Sequence, residues 1–135
     1  MKVSTRGRYG LRAMVDIAVN SKDNNCVCLK STAERTGISE SYLEQIISLL
    51  KKAGIVQSIR GASGGYILTR PAENITVGDV LRAVEGPIEL VECMSKTEAC
   101  ASGGCDNCTT KEVWAKLSES VSETADNICL ADLIN

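Results

Sequence analysis

Ala33 and Gly37 sit four residues apart, and a capped amphipathic stretch begins just past the glycine, a pattern suited to two steeply crossing helices. Such helices need a small residue where they touch and a residue free to take a positive φ where the chain turns; Ala33 and Gly37 supply the two. Residues 30–36 are therefore predicted as a short helix stopped by Gly37. Ser39 can cap the next helix, with Ile38 before the cap and Leu43 at the fourth helical position closing a hydrophobic staple. Along that helix Leu43, Ile46, Ile47 and Leu50 fall at i, i+3, i+4 and i+7, one apolar stripe, and Gly54 ends it. A plain helical hairpin shares this much, so the following segment discriminates. Residues 55–59 and 66–69 are β-prone runs around Arg60-Gly61-Ala62-Ser63-Gly64-Gly65, a loop suited to the tip of a hairpin wing. A phosphate-cradling enzyme loop would need a glycine-lysine-serine/threonine ending and a strong helix start, and neither follows.

Helical periodicity accounts for most of the remaining chain. Leu11, Met14, Val15 and Ala18 form a stripe that predicts a first helix over residues 7–20, followed by a polar loop over 21–25. Thr76 and Asp79 are spaced to cap a fourth helix with Val77, Val80, Leu81 and Val84 on one face, ended by Gly86-Pro87. Residues 88–108 have little periodicity and hold most of the cysteines, and a loop of that length usually marks function. Thr109 with Glu112 then reads as a capping box for a long last helix. Within it Trp114, Leu117, Val121, Thr124 and Ile128 alternate spacings of three and four, the seam of helices that pair, with packing inside one chain as the alternative. The expected fold is mainly α with a small β-hairpin wing. It comprises a winged helix-turn-helix over 1–87, a cysteine-rich loop over 88–108, and a dimerisation helix with a C-terminal tail over 109–135.

The net charge of -2 hides a strong polarity. Residues 1–70 carry 11 Lys/Arg against 5 Asp/Glu, net +6, and residues 71–135 carry 4 against 12, net -8. Only charge within a Debye length of ~8 Å acts on a bound phosphate, so the basic half can meet nucleic acid while the acidic half faces away. With the Leu43 stripe turned inward, Ser41, Tyr42, Glu44, Gln45 and Ser48 remain to read bases: glutamine can pair with adenine, and glutamate can accept from a cytosine amino group. Lys2, Arg6 and Arg8, with Lys51 and Lys52, can supply phosphate contacts. Arg60 can offer a guanidinium to a groove, while Gly64 and Gly65 keep the loop slim enough to lie in one. No nucleophile–base pair suggests an enzyme, and the absence of histidine removes imidazole chemistry. Arg12 and Asp16 interrupt what would be the apolar core of an export signal, and no membrane-length apolar run exists, so a soluble cytoplasmic protein is expected.

Four of the seven cysteines, Cys93, Cys100, Cys105 and Cys108, fall within sixteen residues, separated by six, four and two residues. In a reducing compartment such clustering points to metal rather than disulfides. Thiolates are soft donors suited to an iron-sulfur cluster or to zinc, and Gly103-Gly104 gives the backbone freedom to wrap. A zinc ribbon more typically has two close pairs and here there is one, so the spacing leans to a cluster, with structural zinc or a thiol redox switch as alternatives. No role is assigned to Cys26, Cys28 or Cys129.

These residues together resemble the IscR-like winged-helix regulators, whose relatives include NsrR, RirA and CymR. The resemblance spans nearly the whole chain. It is carried by Ser4-Thr5-Arg6-Gly7-Arg8-Tyr9-Gly10, by Ser41-Tyr42-Leu43-Glu44-Gln45, by Arg60 to Tyr66, by Leu81 to Ile88, and by the cysteine pattern followed by Trp114. It implies a homodimeric repressor, or dual regulator, binding double-stranded operator DNA through Ser41, Glu44, Gln45 and Arg60, with long final helices crossing at the interface. It also implies that Cys93, Cys100 and Cys105 hold the cluster, with cluster-assembly proteins as donors and iron-sulfur assembly or redox-linked genes as targets. In IscR itself a histidine completes a 2Fe-2S site; here the corresponding place is Cys108. An all-cysteine site is expected, 2Fe-2S being favoured and 4Fe-4S, as in NsrR and RirA, the alternative.

Overall fold

The computed structural model describes residues 2–91 and 109–134. Helix α1 (Thr5–Asn20) starts two residues earlier than the apolar pattern predicts, because the Ser4 hydroxyl accepts from the Gly7 amide at 3.0 Å and caps it. Its buried line also differs: Gly7, Gly10, Ala13, Met14, Ile17 and Ala18 are buried, whereas Leu11 and Val15 are only partly so. The first turns of that inward face carry glycine because another helix presses on them. A Cβ on Gly10 would stand 3.1 Å from the Val84 side chain. The predicted polar loop contains a short 3-10 turn, Lys22–Asn24.

Helix α2 (Leu29–Thr36) ends at Gly37, which takes φ 75°, the left-handed conformation expected of the turn. Ala33 is 9% exposed. Helix α3 (Glu40–Lys52) is capped by Ser39, whose hydroxyl accepts from the Tyr42 amide at 3.3 Å. Leu43, Ile46, Ile47 and Leu50 are each no more than 2% exposed, so the predicted stripe is the core. A bidentate Arg35–Asp16 pair, at 2.8 and 2.9 Å, ties α2 to α1.

Strands β1 (Val56–Ile59) and β2 (Gly65–Leu68) pair antiparallel, with Val56 opposite Leu68 and Ile59 opposite Gly65. The wing is braced from a direction the sequence reading did not anticipate: Val27 and Tyr66 exchange two backbone hydrogen bonds of 2.8 Å. Helix α4 (Val77–Glu85) carries the predicted capping box, with both Thr76–Asp79 bonds at 3.0 Å, and Val80 and Val84 in the core.

Helix α5 (Lys111–Asp126) corrects two expectations. The Thr109–Glu112 box does not form. The cap position falls one residue later, at Thr110, which makes no side-chain cap bond there; its carbonyl receives the Val113 and Trp114 amides instead. Ile128 lies beyond the helix, where the chain turns back to pair with α4's start, yet it still shares one apolar groove with Leu117, Val121 and Thr124 of the expected seam: Val77 donates to the Ile128 carbonyl at 2.8 Å, and Leu130 donates to the Ile75 carbonyl at 2.9 Å. Leu130, fully buried, joins the same core as Ile75 and Val80. The Arg82 guanidinium bridges α4 to α5 through Asp126, at 2.7 and 2.9 Å, and through Ser122 at 2.6 Å.

Candidate nucleic-acid interface

Because the apolar stripe of α3 is locked into the core, the opposite side of the helix is fixed in direction as well as in composition. Ser41, Glu44, Gln45 and Ser48 are exposed, and Tyr42 is half-buried. With Arg6 they line one open hollow of about 620 Å³. Arg6 is aimed by α4, its Nη1 donating to the Val84 carbonyl at 3.3 Å. Five donors or acceptors of the types that read base edges thus share a surface with a guanidinium suited to phosphate.

Tyr42 has a packing role that its sequence position did not reveal. Its ring meets Tyr9 edge to face, with centroids 5.8 Å apart. The guanidinium groups of Arg8 and Arg12 lie 5.8 and 5.3 Å from the Tyr9 centroid, within cation–π range. Tyr9 is therefore a platform for basic side chains beside α3, a contact that apolar patterning does not pick out. The alternation of Arg8, Tyr9 and Arg12 along one helix was the signal available.

Arg60, Lys2, Arg8, Lys51 and Lys52 are all exposed. Arg60 follows β1 directly and enters the wing loop. The loop's glycines have a steric cause: a Cβ on Gly64 would sit 2.2 Å from the Ile59 carbonyl oxygen, and one on Gly65 2.4 Å from that of Val27. Gly61 takes φ 122°. The wing's slim shape is thus enforced by its own backbone and by the 26–28 segment, whatever lies in the groove beyond it.

Cys93, Cys100, Cys105 and Cys108 lie outside the described residues. Among the described residues no group of three or more Cys, Asp or Glu side chains is placed to hold a metal ion. What is described is the two ends of the cysteine segment. On the near side, Leu90 donates to the Ser118 hydroxyl on α5 at 3.1 Å. Glu85, at the end of α4, accepts a hydrogen bond from the Ser4 hydroxyl, the cap of α1. On the far side α5 begins at Lys111. No helix among the described residues is long and apolar enough to cross a membrane.

The exposed side of α5 carries an apolar strip among its charged residues. Val113, Leu117 and Val121 are 50, 41 and 43% exposed, and Leu117, Val121, Ala125 and Ile128 line a shallow apolar groove.

A family model described as "Rrf2: Iron-dependent Transcriptional regulator" matches residues 3–135. The HTH-type transcriptional regulator IscR of Yersinia enterocolitica is 44% identical over 135 residues, covering all of this chain and 80% of that protein. The IscR of Serratia proteamaculans is equally similar. Among solved structures, IscR of T. potens superposes with a TM-score of 0.79 at 46% identity, covering 99% of this chain and 86% of that one. CymR, described as the global cysteine regulator of B. subtilis, superposes at 0.81 with 39% identity, covering 99% and 96%.

Proposed function

Because this chain belongs to the Rrf2 family of DNA-binding transcriptional regulators, and is not an enzyme, we propose that it is a homodimeric, cytoplasmic repressor or dual regulator whose operator affinity responds to an iron-sulfur cluster. The observation that carries the DNA-reading half is the set of exposed polar residues on α3 sharing one hollow with Arg6. Ser41, Glu44 and Gln45 would read base edges. Tyr42, Lys2, Arg6 and Arg8 would position the duplex, and the wing, through Arg60, Gly64 and Gly65, would enter the adjoining groove.

The cluster half rests on donor chemistry. Cys93, Cys100, Cys105 and Cys108 offer four soft thiolates, a set that fits an iron-sulfur cluster, 2Fe-2S in the first instance with 4Fe-4S as the alternative. When bound, the cluster supplies a centre sensitive to iron supply, oxidation and nitric oxide. The chain's own residues then define how the segment's ends connect to DNA. Glu85 and Val84, just before the segment, hold Ser4 and Arg6 at the start of α1. Leu90 and Arg82 hold α5, whose exposed apolar strip would pair with a second copy. A change in the span between α4 and α5 would thus reach both the phosphate-contacting start of α1 and the spacing of two recognition helices. Half-sites for such a dimer lie about one helical turn, ~34 Å, apart, so a small rotation can alter affinity. Cluster-assembly proteins are the expected donors, and iron-sulfur assembly or iron-linked genes the expected targets.

The test is an anaerobic visible spectrum with iron and sulfide counts per chain, followed by binding to duplexes selected from a randomised pool. Cluster-loaded wild type and Cys100→Ala should differ in operator affinity. A colourless protein holding zinc, or equal affinities with and without the cluster, would remove the sensing function and leave a DNA-binding repressor with a structural metal or thiol switch.

A further inference from the structure

The hollow against α3 is not polar throughout. Arg6 brings charge to it, and Gln45 with its polar neighbours on α3 brings hydrogen-bonding groups, but Leu49 brings only hydrocarbon. Ile46 also reaches the wall, yet it is 1% exposed and belongs to the core, and the Tyr42 ring is engaged edge to face by Tyr9. Leu49 differs from both. It packs on the core along one side and is half-buried, so part of its side chain stays open to the hollow.

Its place along the helix gives that open part a meaning. Leu49 follows Gln45 by four residues and Ser41 by eight, so the three stand in one row of α3. Four residues advance a helix by about 6 Å, while successive base pairs lie about 3.4 Å apart. A base pair within about two steps of the one that Gln45 reaches therefore passes Leu49. What can meet a leucine there is restricted by chemistry. A phosphate oxygen would lose water and gain no donor, and Arg6 offers the donor in the same hollow. The donors and acceptors of a base edge would lose their hydrogen bonds to water in the same way. Of the groups that the major groove presents, the C5-methyl of thymine is the one that gains by touching hydrocarbon.

We propose that Leu49 is a specificity-determining residue that reads a thymine methyl, so that the operator places a thymine within about two base pairs of the position read by Gln45. The inference rests on the DNA-reading function above and deepens it, but is independent of the cluster. It also has a sharp chemical signature, because uracil presents the same hydrogen-bonding edge as thymine and lacks only the methyl carbon.

The experiment takes the full-length protein and the best duplex from a randomised selection, and replaces its thymines one at a time by deoxyuridine. At one position wild type should lose about fourfold in affinity, the ~0.8 kcal/mol of one buried carbon converted at ~1.4 kcal/mol per tenfold. In Leu49→Ala that loss should vanish while the other thymines respond as in wild type, and in Leu49→Met, which keeps the hydrocarbon at similar volume, it should persist. Helical content and thermal midpoint are measured for each variant. Should Leu49→Ala fail to fold, Leu49→Gln, a good helix former with a polar end, takes its place and should likewise lose the response. The proposal is overturned if no thymine is sensitive to loss of its methyl, if the sensitive one lies well beyond two base pairs from the position whose preference Gln45→Ala relaxes, or if the sensitivity is unchanged once the leucine is gone. Any of these would leave Leu49 to the core, or to sugar carbons common to every sequence. Failure of wild type to select any duplex would sink the DNA-reading function itself, and this inference with it.

Discussion

Helices α3 and α5 are both amphipathic, yet they place their apolar faces in opposite directions. In α3 the apolar residues Leu43, Ile46, Ile47 and Leu50 are fully inside, and the face left to solvent is polar. In α5 the buried residues are Ser118 and Ala125, while Val113, Leu117 and Val121 face out. A polar face held rigidly by a complete core is what hydrogen-bond reading of a duplex requires, since donors must stand still to discriminate bases. An apolar strip left uncovered on a helix that already has a docked side is what self-association requires. Both helices are anchored by α4, but the force expected beyond each is different: hydrogen bonding and charge at one, apolar burial at the other.

That contrast is tested most severely by cutting into the α3 stripe. Leu43→Ala should cost about 2–5 kcal/mol in chemical denaturation, the range for emptying a fully enclosed leucine site. A loss well under 1 kcal/mol would mean that α3 is not fixed by its core, and the argument for a rigid reading face would go with it. The corresponding change on α5 should behave differently. Val121→Asp should leave helical content and thermal unfolding of the monomer close to wild type, because the side chain is already 43% exposed. Self-association measured by sedimentation should weaken by about tenfold to a hundredfold, corresponding to ~1.5–3 kcal/mol of lost apolar burial. Were Val121→Asp to unfold the chain while association survived, the roles assigned to the two helices would be reversed.

How much of this contrast could be read beforehand depends on whether a contact leaves a periodic trace. The α3 stripe, the Ser39 cap and the Gly37 turn are local, and each was predicted at the residue where it occurs. The exposed set Ser41, Glu44, Gln45 and Ser48 then follows by subtraction. In α1 the expected stripe holds in part, with Met14 and Ala18 in the core and Leu11 and Val15 packed beside it, but Gly7, Gly10 and Ala13 carry too little apolar surface to register in a pattern, although the smallness of Gly10 is what admits Val84. The Val27–Tyr66 bridge and the return of Leu130 to the core join residues far apart in sequence through backbone bonds, which side-chain patterning does not encode. The Cys28 sulfur that caps α2, accepting from the Ser31 amide at 3.4 Å, went unassigned because sulfur is a rare cap. Tyr42 is expected on the outer side of α3 with Ser41, Glu44, Gln45 and Ser48, and its edge contact with Tyr9 leaves no trace in the sequence because two elements must fold before the rings meet. The cysteine segment, the most legible motif after α3, lies outside the described residues.

A smaller effect should separate reading from folding within α3 itself. Gln45→Ala removes an exposed side chain, so the thermal midpoint should hold while affinity for the best selected duplex falls by about 1–3 kcal/mol and one base position loses its preference. Equal loss across all sequences would instead make Gln45 a phosphate contact, and the polar face of α3 would be positioning rather than reading.

The smallest expected effect concerns the tie between α5 and the rest of the molecule. Arg82, by its hydrogen bonds first and its charge second, holds the Asp126 carboxyl below the ordinary carboxylate value, and Asp126 in turn raises the Arg82 guanidinium further from titration. Because the folded-state value of Asp126 is depressed, the tie's contribution is complete above the unfolded carboxylate pKa of ~3.9 and is lost as pH falls through the lower folded value. The pair is more than a third exposed, at 36 and 45%, so solvent screens it and the contribution is modest. Thermal midpoints of wild type and Asp126→Asn should therefore differ by a constant, small amount above about pH 5 and converge in more acid solution. Convergence on going to alkaline rather than acid pH would contradict the sign and place the coupling between α4 and α5 elsewhere, in the Arg82–Ser122 bond or in the Leu90–Ser118 bond at the foot of the cysteine segment.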